Sequence, residues 1–148
     1  IKYFNEFKNV KEGNNNQNQH FTVNKKHMSA PSLKAAFLIG EFTNKKLFDW
    51  NNHDEVFKKI DEEIQELQEE IQSPSKEGKK IQEELGDLLF TVAQLSRHLG
   101  YCPEETLEMA NNKFKNRYNK MIQYNSNSDI VNLTKDQKEK LWEKVKND

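Results

Sequence analysis

Apolar residues return at every third or fourth position along two neighbouring stretches, Val56, Ile60, Ile64, Leu67, Ile71 and then Ile81, Leu85, Leu88, Leu89, Val92, Leu95, Leu99. That spacing lays a stripe along one side of a helix, whereas a half-buried strand needs a repeat of two. Ser73-Pro74-Ser75 separates the stretches, a break that suits a turn, so two consecutive helices with facing stripes are expected. Around this pair the chain supplies further helix signals. Pro31 and Ser32 lead into an earlier helix through Leu33, Ala36, Phe37 and Gly40, which ends before Phe48-Asp49-Trp50. Asp54 is the expected N-cap of the second helix, which runs to about Gln72. Gly100 closes the third, because a C-cap favours the left-handed backbone. Pro103 opens a fourth in its first turn with Glu104 and Glu105 suited to the helix dipole, and this helix runs to about Tyr124. A polar loop, Asn125 to Asn132, follows, and Thr134 with Gln137 spells a capping box for a last helix carrying Leu141, Trp142 and Val145. No stretch alternates long enough to be a strand. The predicted fold is all-α, a bundle of four to five main helices.

Residues 1–28 read as a separate N-terminal segment or linker, disordered or loop-rich. They hold a short periodic stretch, Tyr3, Phe4, Phe7 and Val10, then an Asn/Gln tract from Asn14 to Gln19 with nothing to bury. Residues 29–148 are the expected domain, and a chain of 148 residues suits one core rather than two. Hydrophobic residues make up 34% against 32% charged, so a polar-surfaced helical protein fits and a membrane protein does not. One cysteine, Cys102, makes no internal disulfide, and no leader-like segment opens the chain. A reducing, cytoplasmic compartment is the expectation.

Charge is zoned. Twelve acidic and five basic residues lie between Asp54 and Asp87, against five acidic and nine basic from Asn111 to Asp148. A site that holds a cation and a polyanion together shows such zoning, and so do ordinary solvated helix faces. The acidic zone argues against nucleic acid as a partner.

The acidic residues are themselves patterned. The second helix carries Glu62-Glu63-Ile64-Gln65-Glu66 and the third Glu83-Glu84-Leu85-Gly86-Asp87. At ~100° per residue, Glu63 and Glu66 stand roughly 60° and 120° from the middle of their stripe, and Glu84 and Asp87 repeat those angles. If the stripes pack together, Glu63, Glu66, Glu84 and Asp87 flank one seam. Carboxylates so gathered repel unless a cation sits among them, and an all-oxygen set favours a hard ion, Mg²⁺ or Mn²⁺. A di-iron site is the rival, but it wants Glu-x-x-His pairs that are not here. The ordinary alternative is that these residues point at water or at lysines such as Lys59 and Lys80. Gly86, costly inside a helix, suggests a close approach by a helix or a ligand.

These residues resemble a known family, the MazG-type nucleoside triphosphate pyrophosphohydrolases within the all-α NTP pyrophosphatases. The resemblance runs from about Ser29 to Lys146. It rests on Phe48-Asp49-Trp50, Lys59 to Glu66, Glu83 to Phe90, Arg97-His98-Leu99-Gly100, Ala110-Asn111 with Lys113-Phe114 and Arg117, and Leu141-Trp142 with Val145-Lys146. It implies a Mg²⁺-dependent cleavage between the α- and β-phosphates of a nucleoside triphosphate, giving the monophosphate and pyrophosphate, by a homodimer. It implies that Glu63, Glu66, Glu84 and Asp87 are the metal ligands. Lys80, Lys113 and Arg117 match residues that hold the triphosphate, and Trp142 and Lys146 a pair at the nucleotide. Glu83 matches an acidic residue beside the metal and is the catalytic candidate that orients water, with Glu62 in reserve. Trp142 suits base stacking, which tolerates many bases, and suits equally a core anchor for the last helix. Leu47, where relatives often have glycine, and Asn116, where they often have arginine, depart from the pattern. Many relatives carry two such domains, and residues 1–12 weakly resemble the segment between them, which implies the second half of a longer protein. The reading from another class is a helical module of the same fold that binds a nucleotide or a protein without turnover.

Overall fold

The computed structural model describes residues 30–75 and 77–148. The Tyr3 to Val10 stretch and the Asn14 to Gln19 tract lie outside the described residues. Within Pro31–Asp148 the elements are α1 (Ser32–Lys45), α2 (His53–Gln72), α3 (Gly78–His98), α4 (Pro103–Tyr124) and α5 (Lys135–Lys146), with no strand among the described residues. The all-α expectation holds. No helix here is long and apolar enough to cross a membrane.

The helix ends follow local chemistry. Thr134 and Gln137 make the reciprocal capping box at α5, and Pro103 sits in the first turn of α4. Gly100 takes φ 88 just beyond α3, a left-handed backbone that costs glycine nothing. The start of α2 differs from the reading that made Asp54 its cap. Asn52 is the cap, its side chain accepting from the Glu55 amide at 3.0 Å, and Asp54 falls in the first turn, where its charge meets the positive end of the helix. α1 has no side-chain cap of its own. Instead Glu104, from α4, accepts from the Lys34 amide at 3.3 Å, so one helix satisfies a free donor of another.

α2 and α3 form the most extensive pair, an αα-hairpin closed by residues 73–77. α1 packs on α3 and α4, α3 on α4, and α5 on α4 alone among the substantial contacts. Ala36, Phe37, Leu38, Val56, Ala93, Met121 and Val145 are the buried apolar residues. Gln94 is fully buried among them, its amide nitrogen donating to the Ala36 carbonyl at 2.7 Å. The approach of α1 to α3 there is close enough that a Cβ on Gly40 would meet Gln94 Oε1 at 2.0 Å.

The apolar stripes are covered less than their periodicity suggests. Ile64 and Ile71 on α2, Leu85, Leu89 and Val92 on α3, Leu99 just past its end, and Leu107, Phe114 and Tyr118 on α4 stay exposed. Five helices of one chain have more apolar face than they can shield from water. Gly86 also departs from expectation, because a Cβ built there meets nothing within 4 Å. No neighbour among the described residues requires that glycine.

Candidate metal centre

The hairpin places acidic residues of both helices on one seam. One carboxylate oxygen each from Glu63, Glu84 and Asp87 lies within 4.8 Å of the others. Glu66 stands near enough to Glu84 to act on it through its charge. Glu63 is buried, and Glu84 half-buried. Glu63 Oε2 and Glu84 Oε2 are both shut off from water with no hydrogen-bond partner. An unpartnered buried carboxylate oxygen is costly, and two on neighbouring acidic residues of one cluster are costlier. Loss of water pushes the Glu84 carboxyl up from its ordinary value, and the charges of Glu66, Asp87 and Glu63 push it further. A Mg²⁺ ion holds neighbouring ligands ~2.9 Å and opposite ligands ~4.2 Å apart, so these oxygens would draw in around one hard cation through side-chain rotation. The donors present fit such an ion.

The other oxygen of Glu63 is not free. Lys59 Nζ lies 3.3 Å from Glu63 Oε1 and 3.1 Å from Glu62 Oε2. Hydrogen bonds to Glu62 and then Glu63 push the Lys59 ammonium up, so it stays charged. The ordinary reading of these carboxylates, pairing with lysine, is thus present in part: Glu62 is paired and mostly in solvent, while Glu63 meets lysine with one oxygen and its other oxygen is buried without a partner. Glu83 is exposed beside Glu84 on the next helical position.

The basic residues divide into two places. Lys80 sits in the first turn of α3, 3.5 Å from Glu77, four and seven residues before Glu84 and Asp87 and so on their side of the helix. Lys113, Arg117 and Lys146 line a depression of about 520 Å³ between α4 and α5. Trp142 is beside them. Its ring centroid is 5.2 Å from that of Phe114, and Arg117 Cζ lies 5.9 Å from it, so Trp142 anchors α5 on α4 while one cation rides on its face. α5 makes no substantial contact with α2 or α3.

One arrangement had no forecast. Asp49, in the link between α1 and α2, accepts from Arg97 at 2.8 and 2.6 Å, from His98 Nε2 at 2.9 Å, from Asn44 at 3.0 Å and from the Trp50 amide at 2.9 Å. Arg97 Nε donates on to Gln94 Oε1 at 2.8 Å. Burial alone would raise the Asp49 carboxyl, but hydrogen bonds from Arg97, His98 and Asn44 and the Arg97 charge outweigh it and hold it far below the usual carboxylate range. Phe48-Asp49-Trp50 and Arg97-His98 both stood out as sequence blocks, yet nothing in either names the other as partner. The network fixes the entry of α2 to the end of α3. It also floors a largely apolar cavity of about 500 Å³ lined by Phe48, Trp50 and Phe90.

Comparison with known proteins agrees with this geometry. Residues 51–122 match the MazG nucleotide pyrophosphohydrolase domain, a span that contains the whole carboxylate hairpin. The chain is 36% identical over 118 residues to the nucleoside triphosphate pyrophosphohydrolase/pyrophosphatase MazG of Thermotoga maritima, covering 78% of this chain and 44% of that protein. It is 32% identical over 130 residues to a nucleoside triphosphate pyrophosphohydrolase of Escherichia coli, covering 86% of this chain and 49% of the relative. The chain therefore spans about half the length of these relatives. With the paired acidic motifs on one hairpin, the chain carries a domain of the MazG nucleotide pyrophosphohydrolase family at residues 51–122.

Proposed function

We propose that this chain hydrolyses nucleoside triphosphates to the nucleoside monophosphate and pyrophosphate in a Mg²⁺-dependent reaction, with Mn²⁺ able to substitute. The observation that carries the reading is the pair of buried, unpartnered oxygens, Glu63 Oε2 and Glu84 Oε2, in a cluster completed by Asp87. Glu66 joins them as the fourth metal ligand by its place beside Glu84. A bound divalent ion would neutralise phosphate charge and ease ionisation of a water. The chain's own groups do the rest. Glu83, exposed next to Glu84, accepts the proton of the attacking water and aims it, and Glu62 is the alternate for that role. Lys80 reaches the triphosphate from the first turn of α3. Lys113, Arg117 and Lys146 offer a second cationic surface, and Trp142 beside them offers its ring for stacking on the base, a contact that discriminates little among bases.

A homodimer in the cytoplasm is part of the proposal. The exposed apolar residues of α3 and α4 are what a second copy would cover, and the α4–α5 basic surface packs on neither α2 nor α3 of its own chain. The test is incubation of the full chain with Mg²⁺ and a panel of ribo- and deoxyribonucleoside triphosphates. The expected products are pyrophosphate and monophosphate, without orthophosphate. A folded chain that binds a non-hydrolysable analogue and releases nothing is instead a nucleotide-binding module without turnover.

A further inference from the structure

Lys59 stands one helical turn before Glu62 and Glu63, and its ammonium touches an oxygen of each. Most lysine–glutamate pairs of this spacing are solvated and weak. This one is different on the glutamate side, because the Glu63 side chain is only 7% exposed and its second oxygen is shut off from water without a donor. The ammonium and any divalent ion in the cluster therefore draw on the same carboxylate, and they repel each other. We infer that Lys59 is an electrostatic brake on the metal site. It stands in for the cation while no nucleotide is bound, and it makes tight metal binding conditional on an incoming polyanion whose charge offsets the ammonium. The inference rests on the metal and triphosphate reading above and adds an order of events to it: the metal arrives with the nucleotide rather than ahead of it.

The size of the brake follows from the exposure of Lys59, 37% for its side chain, which calls for a water-like dielectric. Charges of +1 and +2 at roughly 5 Å in such surroundings change affinity by about tenfold at low ionic strength. The effect must fade with salt, since exposed charges are screened.

The experiment is a Mn²⁺ titration of wild type, Lys59→Met and Lys59→Arg at low salt, reading free Mn²⁺ by its electron paramagnetic resonance. Methionine keeps the length of the stem and a good helix propensity, so only the charge is lost. Without nucleotide, Lys59→Met should bind Mn²⁺ about tenfold more tightly than wild type, and Lys59→Arg should stay within about twofold of wild type. With a non-hydrolysable triphosphate analogue present, the advantage of Lys59→Met should vanish or reverse, as coupling between two ligands of one site requires. Unchanged or weaker Mn²⁺ binding by Lys59→Met without nucleotide overturns the inference, as does an arginine variant that behaves like methionine. Pyrophosphate release by wild type is measured in parallel. A wild type that hydrolyses while Lys59→Met gains no affinity sinks the brake alone. Tightened Mn²⁺ binding in a chain that releases no pyrophosphate sinks hydrolysis and keeps the brake, and a wild type and Lys59→Met that both bind no Mn²⁺ end both.

Discussion

Replacing Asp49 with alanine removes the acceptor of both terminal nitrogens of Arg97 and leaves a guanidinium that is 6% exposed facing Gln94 Oε1 and, at 3.8 Å, Glu41. Breaking one side of a buried ion pair costs about 3–5 kcal/mol, because the surviving charge stays out of water. Asn44 is exposed and turns to water, and the neutral donors His98 and the Trp50 amide lose an acceptor at less cost than the guanidinium, so ~4 kcal/mol is the working figure. With a urea m-value of ~2 kcal/mol/M, the unfolding midpoint should drop by about 2 M. The assay is urea unfolding followed by far-ultraviolet circular dichroism for wild type, Asp49→Ala, Arg97→Met and the double variant at pH 7. The double variant should cost much less than the two singles together, because no orphaned charge remains. The effect also depends on pH in a fixed direction. The native chain keeps Asp49 ionised where the unfolded chain has already taken up a proton. Its stabilisation is therefore complete above ~pH 4 and is lost as pH falls below that, at a slope approaching ~1.4 kcal/mol per unit. The cost of Asp49→Ala should accordingly shrink between pH 5 and pH 3. A loss under ~1 kcal/mol at pH 7, or strict additivity in the double variant, refutes the reasoning.

Four more expectations follow from single residues. Glu63→Gln should abolish Mg²⁺-dependent pyrophosphate release and Mn²⁺ binding without lowering the melting temperature of the metal-free chain, because it removes one of the crowded charges; a fall of 5 °C or more, about 1 kcal/mol, would mark a structural ion pair instead. Leu47 has φ 60 and is 95% exposed, so Leu47→Gly should stabilise by about 0.5–1 kcal/mol with no packing lost, and calorimetry that shows destabilisation contradicts this. Gly86→Ala should add ~1 kcal/mol to the stability of the isolated chain; if stability rises while hydrolysis disappears, the open space beside Gly86 is where another molecule comes close. Because Glu84 is pushed up, repulsion in the cluster is present at neutral pH and relieved as pH falls through its raised value, so Mg²⁺ should lift the melting temperature at pH 7 and lift it less at pH 5. An equal lift at both values counts against the cluster as the binding site.

What was legible in the sequence was what is written locally. Thr134 with Gln137, Pro103 and Gly100 each set a helix end within four residues of themselves, and each appears where its chemistry puts it. The seam of Glu63, Glu84 and Asp87 was legible for a related reason: two helices joined by a five-residue link must be neighbours, and matching angles on neighbours face each other. Partners far apart in the chain were not legible. Asp49 and Arg97 are 48 residues apart, and no periodicity joins a link residue to the end of a helix two elements away. The apolar stripes of α2 and α3 are plain in the periodicity, but a stripe does not say what covers it, and much of this pair faces outward. Gly86 shows the same gap from the other side, since the cost of glycine was visible and the absence of a neighbour in this chain was not.

The contact between Gly40 and Gln94 constrains how this sequence can drift. Any side chain at position 40 collides with an amide whose two ends are already committed, one to Ala36 and one to Arg97. Trimming position 94 first would take the second donor from the Ala36 carbonyl and slacken Arg97, while enlarging position 40 first would pry α1 off α3. Neither single step is easy in this chain, so a side chain at position 40 calls for a smaller one at position 94 in the same step.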